Sequence, residues 1–196
     1  MVSNMVTIRV DGPVMQGEIC YIETGGDRLM AEVIKVTGQD AFVQVFESTR
    51  GLKVGAPAEF TGHMLEIQLG PGMLSKNYDG LQNDLDKMEG VFLKRGQYTE
   101  PLDAGREWDF KPLAKPGDRV RESDWLGEVE ENHQLLKVMV PFQMKGLATV
   151  KSVAAAGKYK IHDVVAVLED EQGHELKVDM VQHWPVKFAM TNYAEK

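Results

Sequence analysis

The chain has 196 residues, enough for one large domain or two small ones. Hydrophobic residues make up 43% and charged residues 27%, the balance of an ordinary globular protein. The net charge of −8 argues against nucleic-acid binding, which draws on clustered Lys and Arg, and the acidic surplus reads as a solubility feature. No apolar run approaches the ~18 residues that span a bilayer. Met1 to Val10 lacks the charged start and long apolar stretch of a secretory signal. Cys20, the only cysteine, sits in Ile19-Cys20-Tyr21-Ile22 and reads as a buried small hydrophobe in a reducing compartment. The expectation is a cytoplasmic protein without direct membrane contact.

The first segment reads as short strands with turn punctuation. Val6, Ile8 and Val10 alternate with Thr7 and Arg9 before Asp11-Gly12-Pro13 breaks the run. Gly25-Gly26-Asp27 separates the apolar stretches 19–22 and 29–36 as a hairpin does, and Gly38-Gln39-Asp40 precedes Phe42 to Phe46. Leu65, Ile67 and Leu69 alternate with Glu66 and Gln68. Turns at this frequency between alternating runs indicate a small barrel or sandwich rather than a βαβ unit, so residues 3–70 are assigned to a first all-β domain. In the connecting segment 71–105, Leu81, Leu85 and Met88 stand at helical spacing after Asp79-Gly80, which predicts a short helix ended by Gly90. Too short to stand alone, that helix must pack its apolar face on something, and where that partner is missing its amides are expected to exchange quickly across 78–90. Val91 to Gly96 then reads as extended.

Residues 106–186 return to β. Trp125 to Val129, Leu135 to Val140, Leu147 to Val150 and Val164 to Leu168 are short runs bounded by Gly, Pro or charged turns. Leu176, Val178 and Met180 alternate with Lys177 and Asp179. An internal echo runs through this region: Val120, Asp124, Leu126 and Val129 correspond to Tyr159, Asp163, Val165 and Leu168 at a constant offset of 39. Two similar halves packed together describe a barrel-sandwich hybrid, the fold of biotin and lipoyl carriers. The fold class is therefore mainly β: a small barrel, a connection with a short helix, and a barrel-sandwich hybrid. The tail 187–196 carries no pattern, and Ala194-Glu195-Lys196 reads as a cut end of a longer polypeptide.

Candidate chemistry is sparse. His162-Asp163, His174-Glu175 and His183 lack the H-x-x-x-H or Cys-His spacing of a metal site. Glu128-Glu130-Glu131 and Glu169-Asp170-Glu171 follow strands into turns and read as solvated edges. Gly70-Pro71-Gly72 follows a strand but has no Lys and no helix start, so it reads as a tight bend rather than a phosphate loop. The Gly-Lys pair Gly157-Lys158 continues into Tyr159, which offers no aliphatic hydroxyl for Mg²⁺. No nucleophile, base and oxyanion donor assemble, and the 196-residue chain is expected to be no enzyme. Lys145, in Val140-Pro141-Phe142-Gln143-Met144-Lys145-Gly146, is the alternative carrier lysine, although Pro141 and the strand starting at Leu147 leave it outside a tight turn. A free-standing β interaction module is the other alternative.

Seven motifs in order resemble the catalytic A subunit of V/A-type ATPases, in a bacterial branch. They are Asp11-Gly12-Pro13-Val14; Gly51-Leu52-Lys53-Val54-Gly55-Ala56-Pro57; Glu66 to Gly72 with Gly70, Pro71 and Gly72; Asp79-Gly80-Leu81-Gln82; Leu136 to Pro141; Gly157 to Val165; and Gln182-His183-Trp184-Pro185-Val186. Two departures stand out: Asn83-Asp84 replaces the family's common Arg-Pro, and Phe188-Ala189-Met190 replaces a basic, proline-rich tail. The resemblance implies a ring collar formed by 3–70 with B subunits, and a bulge at 106–186, absent from F-type β subunits, that meets a peripheral stalk. It also implies a linker at 187–196 toward a nucleotide-binding domain. The parent subunit is implied to bind ATP or ADP with magnesium and to couple ATP synthesis or hydrolysis to proton (or sodium) transport, peripheral to the membrane. No catalytic, nucleotide-binding or metal residue of the family falls on this chain.

Overall fold

A computed structural model describes residues 4–88 and 95–189. They fall into two compact units. One holds 4–66 with 87–88, 95–99 and 185–187; the other holds 67–86 with 100–184 and 188–189. The expected extended run at 91–94, the helix end at Gly90 and the tail from 190 lie outside the described residues.

In the first unit, β1 (Met5–Arg9), β2 (Glu18–Thr24), β3 (Asp27–Thr37), β4 (Asp40–Val45) and β5 (Ala58–Met64) form one antiparallel sheet in the order β1-β4-β3-β2-β5. The β2–β3 turn is Gly25-Gly26, both with positive φ (61° and 94°), the backbone that a two-residue hairpin turn requires. Register shifts at Val33/Lys35 and Glu18/Cys20 bend the sheet around its own core. Cys20, Leu29, Ala31, Val33, Ala41, Val43 and Val45 are fully buried there. Each large aliphatic side chain so buried contributes ~1.5–3 kcal/mol. No alternation signal marks β5, because Gly62 stands inside it with φ +76°.

In the second unit, β7 (Glu107–Pro112), β8 (Arg119–Val120), β9 (Trp125–Glu131) and β10 (Gln134–Met139) are followed by β11 (Ala148–Val153), β12 (Gly157–Lys160), β13 (Ala166–Asp170) and β14 (Glu175–Val178). Their two sheets run β10-β9-β7-β12 and β14-β13-β11-β8. Matching β7 with β11, β8 with β12, β9 with β13 and β10 with β14 converts one order into the other. Each half therefore lends its short second strand to the other half's sheet, which interlocks the two into a barrel-sandwich hybrid. The sequence echo has a local basis. Asp124 accepts the Arg121 N–H at 2.9 Å, and Asp163 accepts the Lys160 N–H at 2.7 Å, the same turn in both halves. Phe110, Leu126, Val129, Val140, Val150, Ile161 and Leu168 fill the interior. At Gly127 a Cβ would lie 2.2 Å from Phe110 Cε2 and 2.9 Å from the Lys111 carbonyl oxygen, so only glycine fits.

A further strand, β6 (Glu66–Leu69), pairs with β15 (Gln182–Pro185). The expected helix contracts to a 3-10 turn at Leu85–Lys87. Gln82 has φ +61°, which stops a helix from starting at Leu81, and the Leu85 N–H bonds the Asn77 carbonyl instead of closing an α-turn. Leu85 is exposed, whereas Asn83 and Asp84 are each 1% exposed. The segment is thus built into the second unit by polar groups rather than by an apolar helix face, contrary to the expected loose docking.

Candidate functional site

Most of the motif residues lie in loops, and in the second unit they include the bend Gly70-Pro71-Gly72. All three residues are buried. A Cβ on Gly70 would stand 3.1 Å from the Met180 carbonyl oxygen and 3.2 Å from Leu102 Cδ1, so the chain turns where no side chain has room. Gly72 takes φ +105°. Its N–H donates to Glu131 Oε2 at 2.9 Å, and the Leu74 N–H donates to Glu131 Oε1 at 3.0 Å. Glu131 ends β9 beside the two-residue turn Asn132-His133, where both φ angles are positive, and Asn132 Nδ2 donates to Ser75 Oγ at 3.2 Å. The loop amides thus form an anion cradle, but the chain's own carboxylate fills it. Glu131 is 2% exposed, not a solvated edge. Its signal lay in strand parity: Val129 and Glu131 share the inward face of β9.

The Asp79-Gly80 motif forms a second local network. Asp79 Oδ1 accepts the N–H groups of Leu81 and Asn83 at 2.9 and 2.8 Å, and Oδ2 accepts Asn83 Nδ2 at 2.9 Å. Gly80 is exposed with open space around it. Gln82 pairs its amide with one backbone residue in both senses: the Gln68 N–H donates to Oε1 and Nε2 donates to the Gln68 carbonyl, each at 2.7 Å. Lys76 Nζ meets buried Asp84 Oδ2 at 2.6 Å, and this hydrogen bond holds the ammonium above the usual lysine range. Burial pushes the Tyr78 hydroxyl up as well.

A third group joins Pro141 to Trp184. The Gln182 amide spans the backbone around Pro141, donating from Nε2 to the Met139 carbonyl at 2.9 Å and accepting the Phe142 N–H at 3.1 Å. Pro185 closes β15. In the first unit, Gly12 and Pro13 form an exposed bend after β1. Gly51 and Gly55 take φ +78° and +86°, which aims Leu52 and Ala56 at the core and leaves Val54 fully exposed. The Pro57 carbonyl accepts the Glu23 N–H at 3.0 Å. Burial pushes the Cys20 thiol up to about 12, as expected of an inert core cysteine.

Gly157-Lys158 lies inside β12, paired with Phe110 and Asp109, so its backbone serves a ladder rather than a phosphate. Lys145 is exposed in the loop between β10 and β11, strands that belong to different sheets, whereas a carrier lysine needs the tip of one hairpin. His174 Nδ1 lies 3.0 Å from Asp170 Oδ2 and His162 Nδ1 3.2 Å from Asp179 Oδ2. Among the described residues no three His, Cys, Asp or Glu side chains converge as a metal site, and no helix is long and apolar enough to cross a membrane.

Comparison with known proteins extends these local features to the whole chain. Residues 2–62 match the beta-barrel domain of the ATP synthase alpha/beta family, and residues 99–187 match the ATP synthase alpha/beta subunit barrel-sandwich domain. The chain is 42% identical over 196 residues to a V-type ATP synthase alpha chain of Borrelia garinii, covering 98% of this chain and 34% of that protein. The corresponding protein of Treponema denticola is 42% identical, and alpha chain 1 of Treponema pallidum 44%, each over 98% of this chain and 33% of the relative. The chain thus spans about a third of the length of these curated relatives. With both domain matches in order and similarity along its full length, the chain belongs to the ATP synthase alpha/beta family, as an N-terminal part of the V-type alpha (A) subunit.

Proposed function

We propose that this chain is the non-catalytic front end of a rotary ATPase A subunit and serves assembly. The observation that carries the reading is the succession of barrel and barrel-sandwich domains along a chain similar throughout to V-type alpha chains. In this reading 3–70 joins B subunits in a ring collar and 71–105 connects. The bulge at 106–186 faces the peripheral stalk, and 187–196 leads toward a nucleotide-binding domain. The complete subunit binds ATP or ADP with magnesium and couples ATP synthesis or hydrolysis to proton (or sodium) transport in the cytoplasm, peripheral to the membrane. Short strands cross-linked by loop hydrogen bonds suit a collar, which stays rigid while other parts of a ring move. The exposed Val54 on the Gly51–Pro57 loop supplies an apolar contact for such a neighbour.

The test is co-expression with the matching B subunit. Co-elution of the two, lost on Val54→Asp, together with no ATP binding at micromolar level by the chain alone, is the expected result. Turnover of ATP by the 196-residue chain, or failure to associate with B, overturns the reading.

A further inference from the structure

The chain carries two Asp-Gly pairs, Asp11-Gly12 and Asp79-Gly80, and the fold treats them in opposite ways. Asp11, Gly12 and Pro13 are all exposed in the bend after β1, and the Asp11 carboxylate makes no hydrogen bond or ion pair with any described residue. A Cβ on Gly12 would meet nothing within 4 Å. Asp79 is half-buried and tied down. Its carboxylate accepts the Leu81 N–H at 2.9 Å, the Asn83 N–H at 2.8 Å and Asn83 Nδ2 at 2.9 Å. Its main chain is held as well: the N–H donates to the Asn83 carbonyl at 3.2 Å, and the carbonyl accepts the Gln82 N–H at 3.1 Å.

We propose that Asp11 is a site of spontaneous isomerisation, in which the main chain is rerouted through the side-chain carboxyl, and that the fold protects Asp79 from the same chemistry. In the first step the Gly12 nitrogen attacks Asp11 Cγ. A C–N bond forms, and the carboxyl hydroxyl leaves as water with the amide proton, which closes a succinimide ring. Water then opens either carbonyl of the ring. Attack at Cγ restores aspartate; attack at the former main-chain carbonyl leaves isoaspartate, with an extra methylene in the backbone, a free α-carboxylate and the mass of the parent. Water is the only co-reactant. Glycine favours ring closure because no Cβ shields its nitrogen. The aspartate must also turn its carboxyl onto that nitrogen. Asp11 turns freely, whereas Asp79 must first give up its N–H donors, and losing even one hydrogen bond to a charged group slows the step by about tenfold. At Asp11 the product lengthens the link between β1, an edge strand paired with β4, and Val14, which packs on the core of the first unit. This chemistry is independent of the assembly reading.

Ageing the 196-residue chain at neutral pH in water enriched in heavy oxygen tests this, because each opening of the ring leaves a heavy oxygen on that aspartate. Tryptic peptides 10–28 and 77–87 carry the two pairs separately, and fragmentation in the mass spectrometer assigns the label and any isoaspartate to its residue. In the folded chain Asp11 is expected to take up label about tenfold faster than Asp79, or more. In urea the two rates are expected to converge. Gly12→Ala, for which there is room, is expected to slow labelling at Asp11, and Asn83→Ala, which removes one donor, to speed it at Asp79. Equal labelling of the two in the folded chain, or none at Asp11, overturns the proposal. A difference that survives in urea belongs to the neighbouring sequence rather than to the fold and also overturns it. Unchanged labelling in Gly12→Ala overturns ring closure through the Gly12 nitrogen, and no gain at Asp79 in Asn83→Ala overturns the lock.

Discussion

Removing the Glu131 carboxylate tests whether the Gly70–Gly72 bend is held from across the second unit. In Glu131→Ala, the Gly72 N–H loses its acceptor in a buried place, and the Leu74 N–H loses one in a half-buried place. A buried donor left unsatisfied costs ~1–3 kcal/mol, and the half-buried one less because water reaches it, so the expected loss is about 2–4 kcal/mol. Glu131→Gln keeps one acceptor oxygen but turns an NH₂ toward the other donor, and is expected to lose about 1–2 kcal/mol. Urea unfolding followed by tryptophan fluorescence reads this directly, because Trp108, Trp125 and Trp184, the three tryptophans of the chain, all lie in the second unit. The Gly72 amide is expected to exchange faster in both variants. A loss below about 0.5 kcal/mol in Glu131→Ala, the range of neutral surface changes, refutes the account of the carboxylate as the anchor.

Gly127→Ala is expected to cost about 3 kcal/mol or more by overpacking, and a second change, Phe110→Leu, to recover part of it; equal stability of Gly127→Ala and the parent chain refutes the contact. Cys20, with its thiol pushed up to about 12, is expected to ignore a thiol reagent until denaturant opens the first unit. Lys76 sits above the usual lysine range through its hydrogen bond to Asp84. Its contribution is therefore fully present below the unfolded value and lost as pH rises through the folded one. Lys76→Met is expected to flatten that alkaline loss and to cost about 2 kcal/mol, less than the ~3–5 of a fully buried pair because the ammonium is partly exposed. Asp170 is held below the ordinary carboxylate range, first by the His174 N–H. Its contribution is present above the unfolded value and lost as pH falls through the folded one, and Asp170→Asn is expected to remove this acid-side slope in pH-dependent melting.

Legibility in the sequence tracked periodicity. Alternation marked Val6 and Ile8 in β1, because a strand with one buried face repeats every two residues, and short runs bounded by Gly, Pro or charged turns marked what became β9, β10 and β13. Gly25-Gly26 marked its hairpin because few other residues take two positive φ angles in succession. The faint echo between Asp124 and Asp163 proved to be a repeated turn within a swapped pair of sheets. What spacing could not carry was the source of backbone satisfaction. Leu81, Leu85 and Met88 fit a helix by count, but Gln82 takes its left-handed conformation so that its amide can pair with Gln68, a partner distant in sequence. Glu131 looked solvated for the same reason: the donors that draw it inside belong to Gly72 and Leu74. Long-range hydrogen bonds leave no mark in spacing by themselves, and only the parity of Glu131 with Val129 pointed to one of these anchors.

The acidic surplus itself divides along this line. Glu18 is 3% exposed and accepts the Met15 N–H at 2.9 Å and the Gly62 N–H at 2.7 Å, as Glu131 does for Gly72 and Leu74 in the other unit. Glu47, 8% exposed, accepts the Gly96 N–H at 3.0 Å. Each of these three carboxylates accepts from one glycine amide. Glycine lets the backbone approach closely, and a carboxylate offers more acceptor sites than one amide oxygen can, so Glu18 and Glu131 each hold two backbone amides. A β module with many turns and little helix has many loop amides to satisfy, and these carboxylates meet that need where a ladder cannot. Part of the negative charge that reads as solubility is therefore internal framework, and neutralising it at Glu18 or Glu131 is expected to loosen loops before it alters any surface property.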